Sequence, residues 1–143
     1  MQRYPFPASI RRRYHTPSEF PDRLAVTGDA IASFNPVYGQ GMSVAALDAL
    51  TLHDELANGV DGLGPRLFTQ VSAIVDEAWQ TSATGDFIFE QTEGPKPFGT
   101  DLLNTYADQI VSRSHDDVEL TEAFLRVFRL ERPAISLLRP RIL

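Results

Sequence analysis

Between positions 28 and 42 the sequence gathers residue types able to hold a small polar ligand: Gly28-Asp29, then Pro36, Gly39, Gln40, Gly41 and Met42. An ionised Asp29 only accepts hydrogen bonds, so it suits hydroxyl groups such as those of a sugar or polyol. Pro36, Gly39 and Gly41 belong to a tight loop, where glycine permits close backbone approach to a ligand. A helix opening near Gly41-Met42 offers unpaired N–H groups and the positive end of its dipole to an anionic oxygen or nitrogen. A ligand with a polyol at one end and an electron-rich head at the other would satisfy both halves.

Such a site needs a strand, a loop and a helix in that order. Leu24-Ala25-Val26-Thr27 is a brief apolar run ending at Gly28-Asp29, which predicts a buried strand and a turn. After the glycine-containing loop, the segment from Met42 to about Leu56 is strongly helix-forming and apolar on most faces, which predicts a helix buried on several sides. Asn58-Gly59 is its stop signal. A second helix opens at Pro65, and Leu67, Phe68, Val71, Ile74, Val75, Ala78 and Trp79 form one amphipathic stripe along it. Residues 81–99, with Gly85, Gly94, Pro95, Pro97 and Gly99, read as a long loop. A third helix is expected from about Thr100 to Arg113 with Leu102, Leu103, Tyr106 and Ile110 inward. A fourth opens on the pair Asp116 and Glu119, runs through Leu120, Phe124, Val127 and Phe128, and ends before Pro133. Ala134 to Leu138 predicts one more short helical piece.

The first 23 residues hold Pro5, Pro7, Pro17 and Pro21, which excludes a continuous helix, and residues 8–14 fit a short edge strand. The chain thus reads as an edge strand and Pro-interrupted loop (1–23), a strand–loop–helix segment (24–58) and a helical region (59–143), together one structural unit. One buried strand cannot satisfy its own backbone donors and acceptors, so the expectation is the C-terminal part of something larger.

Composition narrows the function classes. The chain has 143 residues, 43% hydrophobic and 22% charged, close to an average globular domain. Net charge is −6, distributed as +3 over residues 1–23, −13 over 24–125 and +4 over 126–143. An acidic body repels phosphate backbones, which argues against nucleic-acid binding despite Arg11-Arg12-Arg13. No run approaches the ~18 apolar residues of a membrane helix, and the opening residues lack the apolar stretch of a secretory signal. With no cysteine there is no disulfide framework and no thiolate site, which fits a cytoplasmic setting.

Gly28-Asp29-Ala30 followed by Pro36-Val37-Tyr38-Gly39-Gln40-Gly41-Met42 resembles the second flavin-binding motif of FAD-dependent monooxygenases and related oxidoreductases. That group includes aromatic hydroxylases, squalene epoxidases and geranylgeranyl reductases. The resemblance lies in the order strand, Gly-Asp-Ala, spacer, Pro-x-x-Gly-Gln-Gly, helix. It implies an α-rich α+β fold, the C-terminal portion of an FAD-binding Rossmann-like domain, with one buried strand, a flavin-facing helix and three or more further helices. It also implies FAD as cofactor and NAD(P)H as electron donor in the complete enzyme, acting on a small-molecule substrate by hydroxylation, epoxidation or alkene reduction. Gly28, Asp29, Pro36, Gly39, Gln40, Gly41 and Met42 would bind the cofactor, with Asp29 hydrogen-bonding the ribityl chain. Gly41 and Met42 would present N–H groups to the pyrimidine edge of the isoalloxazine, while Pro36 and Gly39 would line its face. The family's Gly-x-Gly-x-x-Gly for the pyrophosphate has no counterpart among glycines 28, 39, 41, 59, 62, 64, 85, 94 and 99. A complete site would therefore need a glycine-rich half from another chain or segment, or self-association. The rival expectation is a non-catalytic remnant or interaction module.

Other chemistry is thinly supported. Phe34, Tyr38 and Trp79 read as packing residues. His15, His53 and His115 lack metal-ligand spacing, and Ser33 and Ser43 lack the setting of a hydrolase nucleophile. Asp54-Glu55 and Asp76-Glu77 read as solvated helix faces, since adjacent helical residues do not face each other.

Overall fold

A computed structural model describes residues 6, 8–14, 20–21 and 23–138. The expectations for Pro5, Pro7, His15 and Pro17 lie outside the described residues. Among the described residues the chain is helix-rich, with two short strands, β1 (Ile10–Arg11) and β2 (Ala32–Ser33), and four helices, α1 (Gln40–Leu56), α2 (Leu63–Asp86), α3 (Thr100–Ser114) and α4 (Val118–Phe128). Single 3-10 turns occupy Gly28–Ala30, Pro36–Tyr38 and Ala134–Leu138. By contact it divides into two compact units, Met1–Ala78 and Trp79–Leu143, with the boundary inside α2. No helix among the described residues is long and apolar enough to cross a membrane.

In the first unit β1 and β2 pair antiparallel with Ile10 opposite Ser33 and Arg11 opposite Ala32, and Arg12 N–H extends the ladder to Ile31 C=O at 2.8 Å. The edge strand expected over 8–14 is thus realised at its centre. Leu24–Thr27, by contrast, forms no strand, and the expected single buried strand is replaced by the β1–β2 pair. The reason is the backbone: no described strand lies beside 24–27 to take its donors and acceptors. Leu24 is accordingly 46% exposed.

The segment is held from the side instead. Gly64, in the first turn of α2, is buried, and a Cβ there would lie 2.8 Å from Leu24 C=O and 3.1 Å from the Phe20 ring. Phe20 in turn stacks edge-on to Phe68 at 4.6 Å, with Tyr14 5.3 Å from Phe68. Of the expected α2 stripe, Ile74 and Trp79 are half-buried, while Leu67, Phe68, Val71, Val75 and Ala78 are buried. Each large apolar side chain so buried contributes about 1.5–3 kcal/mol of transfer free energy. On the outer side of α2, Arg11 forms an ion pair with Asp76. The Asp76-Glu77 pair is therefore not simply a solvated face, and one of the three consecutive arginines is committed to packing.

Helix α1 departs from expectation in its burial. Only Gln40, Val44 and Asp48 are buried, while Met42 and Leu50 are exposed. An Ala- and Leu-rich composition signals helix, but the buried face is one row, spaced by four residues, and of that row Asp48 bonds the Gly28–Ala30 turn. Gly59, with φ of +87°, follows the helix end as the stop signal predicts.

In the second unit α3 and α4 pack together, and Ala134–Leu138 closes on them. The core is Ile110, Leu120, Val127 and Leu137, with Tyr106 and Phe124 packed against it. Tyr106 Oη donates to Leu137 C=O at 2.7 Å. Leu102 and Leu103, expected inward, are exposed, because the facing residues gather around Tyr106 and Ile110 further along the helix. The cap of α4 is Asp117, which accepts from Leu120 N–H at 3.0 Å, rather than Asp116. Residues 81–86 are helical rather than loop. Nothing in Thr81-Ser82-Ala83-Thr84 breaks a helix, and side chains receive its final carbonyls: Asn104 Nδ2 donates to Thr84 C=O at 3.2 Å, Thr92 Oγ1 to Asp86 C=O at 2.5 Å.

Candidate functional site

The site is built on the contact between the Gly28–Ala30 turn and the first three turns of α1. Gly28 has a left-handed φ of +61°, which an L side chain adopts only at a cost. Its N–H donates to Asp48 Oδ2 at 2.9 Å, and its C=O accepts from Ile31 N–H at 2.8 Å. A Cβ at Gly28 would sit 3.6 Å from Ala45 Cβ, so the turn rests directly on the helix. Arg12 reaches Asp29 C=O and Ala30 C=O at 3.5 Å, and Tyr14 Oη donates to Ala30 C=O at 3.3 Å.

This turn carries the Asp29 carboxylate outward. Asp29 is exposed, and its Oδ1 lies 3.9 Å from where a Cβ of Gly41 would be. Gly41 is the second residue of α1, so the carboxylate stands beside the helix N-terminus. The loop between them is shaped locally. Asn35 Oδ1 accepts from Val37 N–H at 3.2 Å and caps the Pro36–Tyr38 turn, with Pro36 in the first position. Gly39, at φ +64°, then turns the chain into α1, and a side chain there would meet nothing within 4 Å. As Gly39 is the N-cap, no side chain caps the first amides of α1. They are the groups that elsewhere receive Ser, Asp or an anionic ligand.

The seven residues singled out by type and spacing therefore do not play one role. Asp29 and Gly41 are brought together. Pro36, Gly39 and Met42 are exposed along the same loop and helix start, Met42 at 84%. Gly28 shapes the turn. Gln40 alone sends its side chain inward: it is 1% exposed, and neither Oε1 nor Nε2 has a hydrogen-bond partner among the described residues. Phe34 is buried and Tyr38 half-buried, as packing residues should be.

Sequence reasoning missed Asp48. It is fully buried, and Oδ1 has no hydrogen-bond partner among the described residues. Burial pushes its carboxyl above the ordinary range, and the hydrogen bond from Gly28 N–H acts in the opposite direction. A signal was present: one acidic residue interrupts the apolar run Val44–Leu52, on the row of Gln40 and Val44.

The chain is similar to Protein Rv3254 of Mycobacterium tuberculosis, 35% identical over 130 residues. That match takes in 87% of this chain but 27% of the relative, so the chain spans about a quarter of the length of the curated relative it matches. No protein-family model matches the chain.

Proposed function

We propose that residues 24–56 supply part of a flavin site, in the C-terminal portion of an FAD-binding Rossmann-like domain of an oxidoreductase of the monooxygenase type. The observation that carries this reading is the exposed Asp29 carboxylate beside Gly41 at the uncapped N-terminus of α1. The residues fit the group. The Asp29 carboxylate would accept from ribityl hydroxyls, and the Gly41 and Met42 N–H groups would face the electron-rich edge of the isoalloxazine. The positive end of the α1 dipole favours negative charge there. Gly39 and Gly41 leave the approach free of side chains. Bound FAD supplies the redox chemistry, with NAD(P)H as electron donor, while the protein contributes binding, orientation and electrostatics.

In this reading the pyrophosphate is held by a glycine-rich half contributed outside these residues or by another chain, because no glycine triplet here has the needed spacing. The substrate is a small molecule. A chain of 143 residues without cysteine accords with a cytoplasmic setting.

The test is titration of the purified chain with FAD, followed by visible absorption and flavin fluorescence, for the wild type and Asp29→Ala. Binding that Asp29→Ala weakens by about tenfold or more supports the reading, since a hydrogen bond to a charged group contributes about 1.5–3 kcal/mol. Unchanged affinity in Asp29→Ala removes Asp29 from the site. No flavin response, with or without added FAD, overturns flavin binding by this chain alone and makes the glycine-rich half a requirement.

A further inference from the structure

We propose that Asp48 is the positioning residue of this site: its buried carboxylate holds the Gly28 N–H and thereby aims Asp29 at the first turn of α1. The inference rests on the flavin reading for its consequence, but not for its geometry. Three contacts fix the Gly28–Ala30 turn along α1. Asp48 Oδ2 takes Gly28 N–H at 2.9 Å, Ala45 Cβ lies 3.6 Å from the Cβ position of Gly28, and Asp29 Oδ1 lies 3.9 Å from the Cβ position of Gly41. Positions 48, 45 and 41 are spaced three and four residues apart, so they share one helix face. From Asp48 to Gly41 they cover about 10.5 Å of helix axis. The turn is thus anchored at its start by Asp48 and delivers its acidic residue at the other end of the contact.

The chemistry at position 48 is otherwise hard to account for. Its neighbour on the same row, Val44, is 1% exposed and apolar, and an aliphatic residue at 48 would add packing without desolvating a carboxylate. Asp48 instead spends its buried acceptor on a backbone amide twenty positions away, that of the residue preceding Asp29. Gly28 adopts a left-handed conformation there, φ +61°, open to glycine without side-chain cost, and the hydrogen bond from its N–H to Asp48 fixes where the turn sits on α1.

The test uses the full chain and reads the turn without any ligand. In the wild type, the Gly28 amide proton and the Asp48 side-chain carbon should shift with one shared midpoint on pH titration by nuclear magnetic resonance. In Asp48→Ala, hydrogen exchange at Gly28 should speed up about tenfold, the equivalent of one hydrogen bond, and Asp48→Asn, which keeps an acceptor, should restore most of that protection. Wild-type exchange at Gly28 in Asp48→Ala overturns the proposal. Should Asp48→Ala fail to fold, separate midpoints for Gly28 and Asp48 in the wild type overturn it equally. FAD affinity should fall about tenfold in Asp48→Ala and recover in Asp48→Asn, tracking Gly28 protection. Asp29→Ala should keep the protection while losing affinity. A wild type that shows the Gly28 signature but no flavin response refutes flavin binding by this chain on its own and leaves the hold on the turn standing, because that hold has been read independently.

Discussion

Gly64→Ala puts the placement of the Leu24–Thr27 segment to a test whose sign is decisive. On sequence grounds this substitution should stabilise: alanine is favoured over glycine in a helix interior by about 0.8–1.0 kcal/mol, and Gly64 lies in α2. The structure gives the opposite sign. The new Cβ would lie 2.8 Å from Leu24 C=O and 3.1 and 3.2 Å from two atoms of the Phe20 ring. The first of these is backbone and cannot swing aside as the end of a flexible side chain can. Overpacking of this kind costs about 1–3 kcal/mol, and the propensity gain is reduced in the first turn, so the net expectation is a loss of about 1–2 kcal/mol. Urea unfolding of the wild type and Gly64→Ala, followed by far-ultraviolet circular dichroism, measures the difference as a lowered midpoint with unchanged slope. Hydrogen exchange at residues 20–28 should rise in parallel. A variant more stable than the wild type would refute the close approach of α2 to Leu24, and with it the mechanism by which this segment is held without a strand partner.

Three further outcomes follow from the geometry. Asp117→Ala should lower stability by about 1 kcal/mol, the usual worth of an N-cap, while Asp116→Ala should leave it unchanged; equal effects would move the cap of α4. Gly41→Ala should fold as well as the wild type, since its Cβ meets only Asp29 Oδ1 at 3.9 Å, yet it should weaken FAD binding by occupying the space beside that carboxylate; unaltered binding would place the ligand elsewhere. Asp48 carries a pH signature: burial raises its folded value above the unfolded one of about 3.9. Between those values the folded state holds the extra proton, so its contribution is fully present below the unfolded value and is lost as pH rises through the folded one. The stability of the wild type relative to Asp48→Asn should therefore decline from about pH 4 toward neutrality, and a difference independent of pH would contradict the burial of a titrating carboxylate.

Local signals succeeded where local physics decides. The stripe Leu67, Phe68, Val71, Ile74, Val75, Ala78 and Trp79 could be read because helical period alone puts these residues on one face; five of the seven are buried, and Ile74 and Trp79 at its margins are half-buried. The start of α1 near Gly41, its end before Gly59 and the short helix at Ala134–Leu138 were legible for the same reason: glycine, proline and capping chemistry act within a few residues. So was the gathering of Asp29 and Gly41 near one loop, since twelve positions with a Pro–Gly turn between them bring the chain back on itself.

Other features depended on partners distant in sequence. Leu24–Thr27 has strand composition, but a strand exists only when another strand takes its hydrogen bonds, and this segment instead lies against Gly64 of α2. Alanine and leucine made α1 look apolar all round, yet burial follows what packs against a face, and only the row Gln40, Val44 and Asp48 is buried. Asp48 shows the division most clearly. Its type and position make it an acid in an apolar run, and nothing local says whether it faces water or the amide of Gly28. The residue types of the candidate site, its loop and its helix were determined by the sequence itself. Which carboxylate faces solvent and which is buried against the turn was decided only by tertiary contact, because hydrogen bonding and desolvation depend on neighbours that spacing along the chain does not specify.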